Sequence, residues 1–111
     1  MEVNKKTFCY IPITFLDENK SPVIPTNVTT RIDYISNSGV SIPIRPVTPL
    51  IVTDTVVSVL ITSAENDLFE PNPSPDSIGE IHILTVECDI PHGHVTGDHE
   101  IFVRSLRKVT T

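Results

Sequence analysis

The chain has 111 residues and a net charge of −6 at pH 7, with 10 prolines, 2 cysteines and no tryptophan. That length fills one domain and cannot supply two. The acidity argues against a nucleic-acid partner, which needs a cationic footprint, and two cysteines are too few for a disulfide framework.

From the N-terminus, residues 1–6 read as a polar arm. They lack the apolar segment of a secretory signal, and no run in the chain is long enough to span a membrane. Strand alternation begins at Phe8 and holds to Leu16, with Cys9, Ile11, Ile13 and Phe15 on one face. Pro12 has no N–H to give, which assigns this strand to a sheet edge. The segment from Asp17 to Pro22 is a turn. Val28 to Ile35 is the cleanest half-buried strand, with Val28, Thr30, Ile32 and Tyr34 opposite Thr29, Arg31 and Asp33. After a turn at Asn37-Ser38-Gly39, Val40 to Arg45 alternates again, and Pro43 makes it a second edge strand.

Thr55 to Thr62 is apolar on both faces, Val57, Val59 and Ile61 against Val56, Ser58 and Leu60, as expected of a more central strand. Ser63 to Phe69 spells one helical turn before a proline-rich loop over residues 70–78. Gly79 to Ile90 is the longest strand. Leu84, Val86, Cys88 and Ile90 share one face, and Glu80 and Glu87 bracket the other. Pro91 to His94 is a hairpin turn, and Val95 to Leu106 returns with a bulge at Gly97. Near its end Ile101 and Val103 face away from Phe102 and Leu106. Some six or seven strands, with turns about every 8–12 residues, point to an all-β sandwich or barrel in one domain over residues 1–111.

The residues able to do chemistry are few. His92, His94 and His99 stand near Asp89, Asp98 and Glu100, and imidazoles with carboxylates are metal-ligand types. No closed four-ligand spacing is present, however, and His92 and His94 flank a turn glycine. The three histidines are weak metal candidates and read first as solvated loop residues. No serine sits in a Gly-x-Ser-x-Gly elbow, so no catalytic residue, no enzyme activity and no cofactor are expected. Glu65, Asp67, Glu70 and Asp76 read as a solvated acidic loop, and Arg104, Arg107 and Lys108 as a basic tail.

Cys9 and Cys88 fall on inward faces, where a thiol behaves as a small apolar group. If the Cys9 strand is the first of a sandwich, a bridge to Cys88 is geometrically open. If it is the second, the two lie at opposite ends, beyond the reach of a disulfide. Free thiols are favoured in either case, since nothing else indicates an oxidising compartment. Interface candidates are Phe102 and Leu106, apolar on an outward face, with His92 and His94 at the turn.

The segment from Thr14 to Tyr34 contains an acidic turn, Pro22-Val23-Ile24-Pro25-Thr26, and a strand with the basic–apolar–acidic core Arg31-Ile32-Asp33. Leu84-Thr85-Val86-Glu87-Cys88-Asp89 and Phe102-Val103-Arg104-Ser105-Leu106 come later. In this order the motifs resemble small Ig-like β-sandwich structural proteins of tailed bacteriophages and prophages. The proline-rich loop and the histidine-bearing turn depart from that pattern. The resemblance covers most of the chain and implies an immunoglobulin-like or fibronectin-III-like sandwich of six to seven strands. It implies a non-enzymatic virion role and leaves the position in the particle open; the expectation ranked first is a capsid decoration protein binding the shell through loops and an edge strand. A head–tail joining or tail protein is one alternative, and an Ig-like ligand- or carbohydrate-binding surface module is another. Partners would be other virion proteins of the capsid or tail, with a homo-oligomer open and neither nucleic acid nor membrane involved. The protein would be made in the host cytoplasm and end in the virion.

Overall fold

The computed structural model of the protein describes residues 2–4, 7–36, 39–67 and 79–104. Where the sequence alternates, an extended strand forms. In chain order the strands are β1 (Glu2–Asn4), β2 (Cys9–Thr14), β3 (Thr26–Ile35), β4 (Ser41–Pro49), β5 (Val56–Ile61), β6 (Gly79–Ile90) and β7 (Gly93–Arg104). Five form one sheet in the order β1-β7-β6-β3-β4, and β2 with β5 forms a second. All pairings are antiparallel except β1, which runs parallel to β7 from Glu2↔Phe102 to Asn4↔Arg104. The arm expected at the N-terminus is therefore partly tied down as a short strand of the same chain.

The two sheets enclose one core, as in a β-sandwich. The larger sheet contributes Val28 and Ile32 from β3, Leu84, Val86 and Cys88 from β6, and Ile101 and Val103 from β7. The smaller contributes Ile11 from β2, Val59 and Ile61 from β5, and Phe15 just beyond β2. Ile32, Ile61, Leu84 and Ile101 are wholly inaccessible to solvent, and each such side chain stabilises by roughly 1.5–3 kcal/mol over its exposed state. Glu80 lies on this same inner face rather than the outer one expected. It stands four residues before Leu84, and strand side chains repeat every two. Burial of its carboxylate is offset by His82, fully buried, whose Nε2 lies 3.1 Å from Glu80 Oε1. The His82 ring also meets Tyr34 edge-on, centroids 6.1 Å apart.

Prolines sit where the ladders tolerate them. Ser36 N–H donates to Val40 O, so alternation along β4 turns the Pro43 nitrogen to the outer edge. Register shifts on either side of Ile32 leave Pro46 outside the paired positions, and β4 continues to Pro49, beyond the Arg45 end expected. The same reasoning applies to β2. Phe15 N–H donates to Thr55 O, so Tyr10, Pro12 and Thr14 direct their backbone groups away from β5.

Two expectations fail here for physical reasons. β5 is not central: it pairs with β2 in a two-stranded sheet, and its second apolar face, Val56 and Leu60, is exposed surface. Gly97 forms no bulge, because the β6–β7 register is unbroken from Gly79↔Arg104 to Ile90↔Gly93. The two-residue connection Pro91-His92 sets that register, and no extra residue enters it. The helical turn after β5 is present as one turn, closed by Asn66 N–H to Thr62 O, while the proline-rich loop lies outside the described residues.

The two flanks of the sandwich differ. On the β4–β5 side, Arg45 reaches from the large sheet to the small one. Its Nε and Nη2 donate to the two Glu65 carboxylate oxygens, Nη2 also donates to Leu60 O at 2.8 Å, and Nη1 donates to Thr30 Oγ1 at 3.2 Å. Glu65 is held for this by reciprocal bonds with Thr62, the pattern of a capping box at the start of the single turn. Burial alone would raise the Glu65 carboxyl. The hydrogen bonds from Arg45 and Thr62 outweigh it and hold the group below the usual carboxylate range. On the β2–β7 side no buried clamp spans the sheets among the described residues; the exposed His92–Glu18 pair meets at the hairpin tip, and the flank below it is open.

Candidate interaction surface

Three surface features stand out, and none is a closed pocket. The first is the tip of the β6–β7 hairpin. All residues from Pro91 to Glu100 are exposed. His92 Nε2 lies 3.6 Å from Glu18 Oε1, and His94 Nδ1 lies 2.9 Å from Asp89 Oδ1. Asn27, in a left-handed conformation where β3 is irregular, donates from Nδ2 to Asp89 Oδ2 at 3.0 Å. The bonds from Asn27 and His94 hold the Asp89 carboxyl below its ordinary range. His99 does not join this group: it lies across from Leu84 on the opposite face of β7 from His94. Among the described residues no three of His, Cys, Asp and Glu converge as a metal site would require. The weak metal candidates His92, His94 and His99 are thus divided between a hairpin-tip pair and a separate position.

The second feature is the outer face of the two-stranded sheet. Alternation that sends Cys9, Ile11 and Ile13 inward sends Phe8, Tyr10 and Pro12 outward. Tyr10 lies directly across from Leu60, and Phe8 packs edge-on against Tyr10 with centroids 6.2 Å apart. Phe8 is 61% exposed, Tyr10 55%, Val56 49% and Leu60 41%. A cluster of this kind on one face marks a contact surface more often than scattered apolar residues do. The sequence signal was the double apolar face of β5, which read as centrality when it meant an uncovered side.

The third is the open flank. Between β2 and β7 lies a narrow cleft of ≈ 110 Å³, bounded by Ile13, Phe15, Val86, Cys88, Val95 and Gly97. Pockets for small ligands are commonly ~300–1,000 Å³, so this cleft by itself is a narrow seam, and it adjoins a wider, open concavity of ≈ 580 Å³ against Leu16, Glu18, Ile90, His92 and Val95. Of the remaining sequence candidates, Phe102 is half-buried on the outer face of β7, and Leu106 lies outside the described residues.

The cysteines are free. Cys9 opens β2, whereas Cys88 borders the cleft beside Phe15, past the far end of that strand. At ~3.3 Å per residue the length of β2 separates them by far more than a disulfide spans. β2 is the second strand, which is the alternative that places the two at opposite ends. Burial, with the Asp89 carboxylate adding to it, pushes the Cys88 thiol up. No helix among the described residues is long and apolar enough to cross a membrane. No known protein family, no curated protein and no solved structure matches this chain significantly.

Proposed function

We propose that the protein is a non-enzymatic structural component of a tailed-phage particle, a decoration protein that docks on the capsid shell. The docking surface in this reading is the outer face of the β2–β5 sheet, with edge strand β2 and the loop entering it at Phe8. The observation that carries it is the exposed apolar group Phe8, Tyr10 and Leu60, with Val56 further along the same face. On a repeated shell, a modest contact of this kind multiplies over many copies. The strand order supports an immunoglobulin-like assignment of the sandwich. A β7-β6-β3-β4 run matches the G-F-C-C′ order of variable-type domains, and β2–β5 matches their B–E pair.

The test is co-sedimentation of the purified protein with shells assembled from the major capsid protein of the source phage or prophage. Saturable binding is expected, abolished in the double variant Tyr10→Ser/Leu60→Ser while its melting temperature stays within a few degrees of the parent. Copy number per particle then separates decoration from head–tail joining or a tail position. A second reading, a carbohydrate-binding surface module, draws on the exposed Phe8–Tyr10 pair as a stacking platform. Reproducible glycan-array hits lost in Tyr10→Ser, with no shell binding, would move the assignment there.

A further inference from the structure

We infer that the outer edge of β7 pairs with the same edge of a second copy of this chain, joining two large sheets across a two-fold axis at Thr96. This goes beyond the shell-docking reading, uses a different surface, and stands or falls without it.

The argument begins with which edges can accept a strand. A free edge exposes a row of N–H and C=O groups, and proteins block such edges with proline, charge or cover. β4 has the Pro43 nitrogen outward, and β2 has Pro12 at the centre of its outward row. On β5 the outward carbonyl of Leu60 is taken by Arg45. β1 covers β7 only from Phe102 onward. Among the described residues the β7 segment from Gly93 to His99 is the longest outward row left open. Its hairpin closes at Ile90↔Gly93, so odd-numbered residues bond to β6, and His94, Thr96 and Asp98 turn their backbone groups outward. No proline interrupts the row, and the segment is exposed throughout.

The sequence along this edge complements itself. Antiparallel pairing about Thr96 sets Thr96 against its copy and His94 against Asp98 of the second chain, twice by symmetry. Threonine pairs and pairs of complementary charge are favourable cross-strand neighbours. His94 faces Asp89 through Nδ1, so it is the imidazolium, with a proton on each ring nitrogen, that also donates from Nε2 to the incoming carboxylate. A two-fold moved to Asp98 would oppose two aspartates. One moved to Gly97 would set glycine on glycine and lose the apolar contact described next.

Gly97 supplies the second, independent observation. A glycine inside a strand costs roughly 0.5–1 kcal/mol, and here no bulge, no positive φ and no close neighbour explains it. A Cβ added at Gly97 would meet nothing within 4 Å in the single chain. In the two-fold pairing Gly97 lies opposite Val95 of the second copy, at a position where antiparallel backbones come closest. The Val95 side chain, 40% exposed in one chain, then lies over the glycine.

The test is sedimentation equilibrium of the full chain from ~10 µM to ~1 mM, with amide exchange followed by NMR; a ladder this short predicts weak, reversible dimerisation. Dimer formation with concentration-dependent protection at the His94, Thr96 and Asp98 amides is expected. Asp98→Lys changes an exposed side chain and should keep the monomer's melting temperature within a few degrees. It sets like charge against His94 of the partner at both ends of the pairing and should weaken the dimer at least about tenfold. Thr96→Pro removes an outward N–H without touching the β6 ladder and should weaken it likewise. A chain that stays monomeric to ~1 mM, or a dimer unchanged in both variants, overturns the inference.

Discussion

The Arg45 clamp offers a quantitative test of how the sandwich is held together. Replacing Arg45 with Met keeps most of the aliphatic volume and deletes every donor. The Glu65 carboxylate, the Leu60 carbonyl and the Thr30 hydroxyl then lose their partner. Removing one member of a fully buried ion pair costs ~3–5 kcal/mol. Here the two side chains are 15% and 17% exposed, and Glu65 keeps the Thr62 N–H. Discounting for that residual solvation leaves an expected loss of about 2–3 kcal/mol, or ~8–12 °C in Tm for a domain of this size. Replacing Glu65 as well should recover part of the loss, since no carboxylate would remain stranded. The assay is urea unfolding followed by far-UV circular dichroism, because the chain has no tryptophan. The pH dependence gives a second readout. The folded Glu65 carboxyl is held below its ordinary 4.5, so the stability it contributes is full above that value. That contribution drains away as pH falls through the lower folded value. The variant should show a shallower acid limb than the parent. A loss under ~0.5 kcal/mol with an unchanged acid limb would refute the view that Arg45 secures this flank.

Other outcomes follow from single positions. Gly79→Ala would bring a Cβ to 2.2 Å from the Val103 carbonyl oxygen, so the β6–β7 ladder must shift; a Tm drop of several degrees, set against no loss for Gly97→Ala, checks this. Leu84→Ala empties a wholly buried position in the core and should cost ~2–5 kcal/mol in urea unfolding. A thiol reagent should find two titratable cysteines without prior reduction, with Cys9 reacting well before the buried Cys88 and no mobility change on a non-reducing gel.

What the sequence revealed follows from the range of the forces involved. The second half of β6, from Leu84, and the inward face of β3, from Val28, were legible because side-chain alternation is local and the apolar residues repeat every two along those stretches. The edge placement of the Pro12 and Pro43 strands was legible for a similar reason: a missing N–H is a property of the residue itself. The position of β5 was not, since an apolar outer face reads the same whether another sheet covers it or nothing does. Arg45 looked like an ordinary polar residue, because its partners Thr30, Leu60 and Glu65 are brought together only by the fold. The Thr62-Ser63-Ala64-Glu65 capping box was the one local hint. Gly97 suggested a bulge from composition alone, whereas the short Pro91-His92 turn had already fixed an unbroken register.

The unequal flanks also bear on motion. A two-stranded ladder has little stability of its own, so β2–β5 relies on its packing against the larger sheet. That packing is fastened by polar bonds along the Arg45 side and ends in an apolar seam along the other. Such a layer is expected to open as a flap hinged on one side, in a cooperative event smaller than global unfolding, which amide exchange would detect. Amides of β2 bonded to β5 would stay protected while the flap swings, because the ladder moves as a unit. The first solvent to enter would reach Cys88 and Val86 beneath the seam, exposing a thiol and an apolar stripe for as long as the flap stands open.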